Sequence, residues 1–414
     1  MSIRLLARFG VMFAAYRPMK TRALLLGCIA VLTCAVPARA MIISYSYDSA
    51  GRLTKANYGG ASNTTYKYDD DGNLLARMNS VNPFLPLAGK YSGLVSAAAP
   101  DANNGGFISI AITKGGSFTG RLLLGARKFQ LTGVFDANGD ATAIPLAFPG
   151  LPAVQLALHL DLATGTLTGS VTGGIVSTVS ALASPYARSR PAPGGFVGKF
   201  TALFDATENV STVPKGSGFA LVKVKANGGI TLAGSLADGT VIAQGAAFID
   251  TTRWPLFVRL YGKKGRLEGF VDFATDVGVS DCAGAVTWFK SPANGGRYAA
   301  GFDTTINFLG ARYHPPARQQ RVLDFGDTSP NAAFTLNGVE RDATLSRNNT
   351  IVISPPNTDH LTLVLDPVTG LLNGSFREGA TKRKLRGVVQ QEANRGAGYF
   401  LGASESLPFT LEAL

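Results

Sequence analysis

The feature that most constrains this chain is a short glycine-punctuated unit that recurs along much of its length. The unit reads Gly-x-φ-x-Gly-x-φ, where φ is apolar, and it begins at Gly116, Gly165, Gly265 and Gly370, with a variant at Gly229. Because strand side chains alternate between two faces, apolar residues two positions apart share one face. Glycine inside a strand is typical of a tight bend or a close approach of another backbone. The unit therefore predicts short, tightly curved antiparallel strands.

Two of these units follow a run of alternating leucines and the same five-residue turn, Asp-x-x-Thr-Gly. The turns are residues 161–165 and 366–370. The aspartate of such a turn can accept hydrogen bonds from turn amides, and glycine supplies the positive φ that ends it. We expect two equivalent turns and a set of leucines on the buried face of the strands before them: Leu156, Leu158, Leu160, Leu361, Leu363 and Leu365.

The spacing of the turn signals predicts an all-β protein. Turn signals recur every 8–12 residues, and no segment after residue 40 keeps a helical period of 3.6 beyond a turn or two. This pattern is typical of a sandwich or a barrel. We predict antiparallel meander modules, barrel-like or sandwich, over residues 89–183, 197–290 and 297–414. A separate hairpin segment over residues 41–80 precedes them.

Residues 1–40 have the layout of a cleavable secretory signal. Lys20 and Arg22 precede an apolar run from Ala23 to Val36, and a small-residue site ends at Ala40. A basic region, a short apolar region and an A-x-A site define such signals, and a run of about 14 residues is short for a membrane span. We expect export, with cleavage after Ala40. Met1 and Met19 both remain candidate starts of translation.

Removal of that segment changes the charge and the cysteine content. Residues 1–40 carry six basic residues and no acidic residue, so the formal net charge falls from +12 to +6. That value gives no reason to expect a nucleic-acid partner. Of the three cysteines only Cys282 remains, so no intrachain disulfide is expected and burial must hold the fold together.

Two copies of another pattern, 21 residues apart, open the mature chain. They read Tyr-x-Tyr-Asp-x-x-Gly-Arg/Asn-Leu and share the positions Tyr45, Tyr47, Asp48, Gly51, Tyr66, Tyr68, Asp69 and Gly72. The pattern resembles the YD repeat of Rhs-type and teneurin-like secreted proteins. The resemblance implies paired hairpins whose tyrosines and Asp-x-x-Gly turns build a β shell. Two copies are too few to close a shell. We expect a ribbon that docks on a neighbour or binds sugar, or else a relic of a longer ancestor.

The remainder, from Gly89 to Leu414, resembles uncharacterised β-repeat regions of large exported bacterial proteins. The segments that carry the resemblance are Leu236–Thr240, Trp254–Gly265 and Thr287–Lys290 of the second module, and it covers most of the chain from Gly89 to Leu414. It implies fold and location, and it implies no activity.

Residues suited to catalysis or metal binding are sparse. The only histidines are His159, His314 and His360, and they lack the spacing of a zinc site. His159 falls on the polar face of its strand, and Asp281 would raise the pKa of Cys282. We therefore expect no catalytic residue, no metal and no cofactor. The densest basic run, Lys382–Arg386, has two interpretations: contact with anionic polysaccharide or lipid, or a solvated edge strand.

These observations predict an exported, non-enzymatic β-repeat protein of the cell surface, for adhesion or carbohydrate contact. The expected partners are polysaccharide or another surface protein, without nucleic acid and without membrane insertion. Two alternatives stay open. An outer-membrane β-barrel needs longer strands and aromatic girdles, and a polysaccharide-acting enzyme needs two carboxylates brought together from different strands.

Overall fold

The computed structural model describes residues 44–57, 62–186, 189–192, 195–276 and 280–414. The expected signal segment, residues 1–40, lies outside the described residues. The described chain forms 28 strands, and its single helical element is a 3-10 turn at Tyr261–Lys263. The prediction of an all-β chain of antiparallel meander modules is confirmed.

The segment that carries the two tyrosine-rich copies is a four-stranded antiparallel sheet in chain order. Its strands are β1 (Ser44–Tyr47), β2 (Leu53–Asn57), β3 (Ser62–Tyr68) and β4 (Leu74–Val81). Each nine-residue copy spans the end of one strand, a tight turn and the beginning of the next. The second copy therefore lies beside the first in the same sheet.

Three eight-stranded sheets follow. The first contains β5 (Gly89–Ser96), β6 (Gly106–Ile112), β7 (Ser117–Leu124), β8 (Arg127–Val134), β9 (Asp140–Leu146), β10 (Val154–Leu160), β11 (Leu167–Thr172) and β12 (Ser177–Ala183). The second contains β13 (Gly198–Ala206), β14 (Gly218–Val224), β15 (Gly229–Ser235), β16 (Val241–Ala247), β17 (Arg253–Leu260), β18 (Gly265–Asp276), β19 (Ser280–Lys290) and β20 (Phe302–Arg312). The third contains β21 (Ala332–Leu336), β22 (Val339–Leu345), β23 (Ile351–Ile353), β24 (Thr362–Leu365), β25 (Leu371–Glu378), β26 (Thr381–Gln390), β27 (Arg395–Leu401) and β28 (Ser406–Ala413).

All three sheets close in the same way. The first strand pairs with the last, as β5 with β12, β13 with β20 and β21 with β28, so each meander curls back on itself. Within the described residues, no ladder joins the fourth strand to the fifth in the first two sheets, or the third strand (β23) to the fourth (β24) in the third sheet, so each sheet has one unpaired seam. Pro145 in β9 and Pro255 in β17 lie beside two of these seams, where a strand without a full set of N–H donors is tolerated. Of the two expected architectures, the structure is the barrel-like one.

Glycine permits this curvature. At Gly93, for example, a Cβ atom would collide with the Ser180 carbonyl and the Ala181 backbone of the neighbouring strand. Only a residue without a side chain fits where two strongly coiled strands approach so closely.

Each sheet encloses its own apolar core, formed by alternate residues of its strands. The leucines at 156, 158, 160, 361, 363 and 365 are all buried, as the alternation predicted. The two Asp-x-x-Thr-Gly turns also match. In both, the glycine N–H donates to the aspartate carbonyl at 2.8 Å, and φ of Gly165 and Gly370 is +73° and +78°.

The division between the second and third modules falls later in the chain than the sequence pattern predicts. The expected second module ended at residue 290 and the third began at 297. In the structure, β20 pairs with both β13 and β19, so it closes the second sheet, and the third sheet begins at Ala332. The Pro- and Gly-rich segment at 291–296 is a hairpin connection within one module. A turn inside a sheet and a linker between sheets have the same composition.

The modules pack on one another through equivalent faces. Phe107, on the outer face of β6, stacks on Phe257 of β17 with ring centroids 6.2 Å apart. One module later, Leu203 on the outer face of β13 packs against Val388 and Ala397 of the third sheet. The outer face of the first two strands of a module therefore serves as the docking surface for the next module.

Candidate functional site

The first copy of the tyrosine-rich repeat forms a turn that its own aspartate organises. The carboxylate of Asp48 accepts hydrogen bonds from the N–H groups of Ala50 and Arg52, at 3.0 and 2.8 Å, and from Arg52 Nε at 2.7 Å. Gly51 donates to the Asp48 carbonyl and has φ of +77°, which glycine adopts at little cost. The backbone N–H of Arg52, followed by its guanidinium, lowers the pKa of Asp48.

The second copy repeats this geometry with one exchange. Asp69 accepts from the Asn73 N–H at 2.7 Å and from the Asn73 side-chain amide at 3.0 Å, and Gly72 has φ of +91°. The side-chain amide of Asn73, followed by its backbone N–H, lowers the pKa of Asp69. The motif thus encodes a hairpin turn centred on its aspartate. The side chain at the eighth position, Arg52 or Asn73, donates a hydrogen bond to that aspartate and stabilises the turn.

The two copies contact each other through residues of the motif. Arg52 Nη1 donates to the Asp69 carbonyl at 3.1 Å, and its guanidinium lies over the Tyr68 ring, 5.1 Å from the centroid. Tyr68 returns a hydrogen bond from its hydroxyl to the Leu53 carbonyl at 3.0 Å. A guanidinium over an aromatic ring is a favourable cation–π pair. The arginine, the second tyrosine of the next copy and the leucine are therefore the residues that join one copy to its neighbour.

The four tyrosines differ in exposure. Tyr66 and Tyr68 are half-buried between strands, whereas Tyr45 and Tyr47 lie on the edge strand β1 and are 51% and 61% exposed. The structure brings all eight motif residues into one sheet, but they line two turns and do not converge on a pocket. They account for the architecture of this sheet, and among the four tyrosines those of the first copy are the exposed pair.

A second candidate site lies on the outer face of the first eight-stranded sheet. It is a groove of about 610 Å³ across strands β5 to β8. Two rows of outward-facing, cross-strand neighbours form it. One row is Lys90, Ala111, Thr119 and Thr132; the other is Ser109, Arg121 and Gln130. Lys128 stands at its side. Gly120 also lines the groove through its backbone, and a Cβ atom there would collide with the backbone of Ser109 and Ile110 on the neighbouring strand.

The groove is electropositive. Lys90, Arg121 and Lys128 are exposed, and no acidic residue is among the side chains that line it. Within the described residues, none of the three cations lies within salt-bridge distance of a carboxylate. Hydroxyl and amide groups of Ser109, Thr119, Thr132 and Gln130 fill the space between the charges. The groove therefore offers hydrogen-bond donors, acceptors and unpaired positive charge over an extended strip. No pattern in the sequence predicts this groove, because its members come from four strands and only the strand register aligns them.

The basic run at 382–386 does not lie on an edge strand, so that interpretation of the sequence is wrong. Its strand, β26, pairs with β25 on one side and β27 on the other, so it is an interior strand. Lys382, Lys384 and Arg386 face outward and are exposed, while Arg383 forms an ion pair with Glu378 at 2.7 Å. This surface is a second exposed basic patch, without a groove.

The titratable groups that sequence analysis considered for catalysis occupy structural positions. His159 faces outward, with Nδ1 2.7 Å from Asp140 Oδ1. Cys282 is buried, and burial, followed by the charge of Asp281, raises the pKa of its thiol. Among the described residues, no cluster of three or more His, Cys, Asp or Glu side chains could hold a metal ion.

A strongly perturbed phenol lies inside the second sheet. Tyr261 donates to Asp238 Oδ2 at 2.6 Å and accepts from Trp288 Nε1 at 3.0 Å. Burial, followed by the charge of Asp238, raises the pKa of Tyr261. Perturbed groups are candidates for chemistry. This hydroxyl, however, is saturated by protein partners, and the network anchors the turn at 261–263 to the sheet.

Comparisons with known proteins find little. No family model matches the chain, and no curated protein matches it. Five solved chains match. One is the isotype 1 transferrin binding protein B from serogroup B Neisseria meningitidis, at 10% identity and a TM-score of 0.18, covering 90% of this chain and 88% of that one. Another is the WD40 domain of SCAP from fission yeast, at 9% identity and a TM-score of 0.13, covering 89% and 73%. Similarity at this level carries no argument about function.

No helix in the described part of the chain is long and apolar enough to cross a membrane.

Proposed function

We propose that this protein is an exported, non-enzymatic binding protein that contacts acidic polysaccharide at the cell surface. The observation that carries the proposal is the groove on the first eight-stranded sheet, with its unpaired Lys90, Arg121 and Lys128 and its hydroxyl and amide lining. The secretory layout of residues 1–40 and the resemblance of residues 45–74 to YD repeats of secreted proteins support export and a surface location.

The dimensions of the groove favour a polymer over a small anion. The row from Lys90 to Thr132 crosses four strands, which at the usual strand spacing is about 14 Å. A ligand that reaches Lys90, Arg121 and Lys128 together must therefore be elongated and must carry more than one negative group. Arginine binds carboxylates through two parallel N–H donors, and the neighbouring hydroxyl and amide groups can pair with sugar hydroxyls.

The test is a binding measurement with polygalacturonate as the acidic polymer and dextran as the neutral one. We expect polygalacturonate to bind, dextran not to bind, and the affinity to fall as salt rises, because exposed charges are screened. Exposed ion pairs contribute about 0.2–1 kcal/mol each. Replacing Lys90, Arg121 and Lys128 by Gln should therefore weaken binding about tenfold, at 1.4 kcal/mol per factor of ten.

The matched control removes the same number of charges from the other basic patch, through Lys382→Gln, Lys384→Gln and Arg386→Gln. We expect this control to bind within about twofold of the unmodified protein. Equal losses in the two triple variants would show attraction by net charge alone and would reject the groove. Tight binding of dextran would reject the role of charge.

A further inference from the structure

A crevice between the second and third sheets has the features of a small-molecule site. It encloses about 300 Å³, at the lower end of the range typical of ligand pockets. The outward-facing Leu221 and Ala233, a cross-strand pair on β14 and β15, form one wall. Val368, from the 366–370 turn of the third sheet, forms the opposite wall, and this apolar side chain is 59% exposed.

The crevice is rigidly built. Tyr313 donates from its hydroxyl to the Pro367 carbonyl at 2.8 Å, which fixes the 366–370 turn against the second sheet. Gly370 sits so close to Tyr313 and Thr201 that a Cβ atom would lie 2.7 Å from the tyrosine ring and 3.0 Å from the threonine methyl. Asp366, the acidic residue of this turn, is engaged by the Val368 N–H at 2.9 Å and the Thr369 hydroxyl at 2.6 Å.

Two lysines mark one side of the crevice. Lys199 and Lys223 lie directly opposite each other on β13 and β14, and both are exposed. Like charges in directly opposed positions destabilise a sheet. In the part of the chain that the structure describes, neither ammonium lies within salt-bridge distance of a carboxylate. An anion bound between them would relieve this repulsion.

We propose that this crevice binds a small amphiphilic anion, with an apolar body between Leu221, Ala233 and Val368 and a carboxylate at Lys199 and Lys223. A volume of 300 Å³ equals that of about ten water molecules in the liquid, at roughly 30 Å³ each, so the site fits only a small ligand. The ligand is therefore a short-chain or single-ring carboxylate. The site is separate from the groove on the first sheet and does not depend on polysaccharide binding.

The test titrates the mature chain with octanoate, which has ten non-hydrogen atoms by its formula, and follows binding by calorimetry. 1-Octanol also has eight carbon atoms but no charge. Octylammonium has the same eight-carbon chain as octanol and a positive charge. We expect octanoate to bind at one site, octanol to bind at least tenfold more weakly, and octylammonium not to bind. Acetate, which lacks the body, should not compete.

Two variants locate the site. Lys199→Gln with Lys223→Gln should weaken octanoate binding at least tenfold, whereas the control Lys225→Gln, on the exposed turn after the same strand, should change it less than twofold. Ala233→Phe fills the crevice from the solvent side and should abolish binding with the circular dichroism spectrum unchanged. Failure of octanoate to bind, or binding that survives Ala233→Phe, would show that the crevice is only a packing gap. Equal affinity for octylammonium would overturn the role of the lysines.

Discussion

Thr201 offers the sharpest test of how the second and third modules are held together. Its side chain is completely buried, and its hydroxyl donates to the Val389 carbonyl of the third sheet at 2.6 Å. Thr201→Val keeps the shape of the side chain and removes the donor, so the carbonyl loses this side-chain donor. Leaving a buried polar group unpaired costs about 1–3 kcal/mol. We expect the free energy of unfolding to fall by about 2 kcal/mol.

The assay is urea unfolding followed by tryptophan fluorescence, since Trp254 and Trp288 are both buried in the second sheet. Thr201→Ser keeps the hydroxyl and loses one methyl group, so it should cost only about 1 kcal/mol. Thr231→Val makes the same exchange on an exposed strand position and should change stability by less than about 0.5 kcal/mol. If Thr201→Val proves as stable as Thr231→Val, the bond between the modules contributes nothing and the reasoning is refuted.

Three further predictions follow from other parts of the fold. Gly93→Ala places a methyl group against the Ser180 carbonyl and should destabilise the first sheet by about 1–3 kcal/mol in thermal unfolding; an unchanged melting temperature would contradict the steric argument. Arg266→Met leaves Glu268, 2.8 Å away and buried, without its partner and should cost about 3–5 kcal/mol in urea, with Arg266→Met/Glu268→Leu recovering most of it. No recovery would show that the charge pair is not the cause. Because the folded state lowers the pKa of Asp48, its contribution to stability is present above the ordinary value of 3.8 and is lost as the pH falls through the lowered pKa; the protection of the turn amides against hydrogen exchange, relative to the intrinsic exchange rate at each pH, should decrease there, and Asp48→Asn should remove that dependence.

Local patterns in the sequence were sufficient to predict the strands and the turns. The alternating leucines before Asp161 and Asp366 face the core as expected, and the glycines that end these turns have positive φ. The reason is that alternation and turn chemistry depend on contacts within about five residues. The identification of residues 45–74 as YD repeats stays a prediction, although the aspartate, glycine and arginine of the motif each have a clear structural role.

The candidate sites were less predictable. The groove brings together Lys90, Arg121 and Lys128 from three strands, and the crevice joins Lys199 to Val368 across two modules. The residues next to these lysines in the sequence do not distinguish them from other solvent-exposed lysines. The sites depend on neighbours from other strands and from another module.

The sequence by itself determined the element type, the buried face of most strands and the chemistry of the turns, since these are properties of short segments. Only the tertiary structure decided that the first strand of each sheet pairs with the last, that β20 belongs to the second module, and which outward-facing residues share a surface. The pairing of β5 with β12 joins residues about 90 positions apart, and it forms because curved strands that bury one face must curl until their ends meet. The closure of each sheet fixes which residues of neighbouring strands lie opposite one another. These pairings determine which charged side chains share a surface.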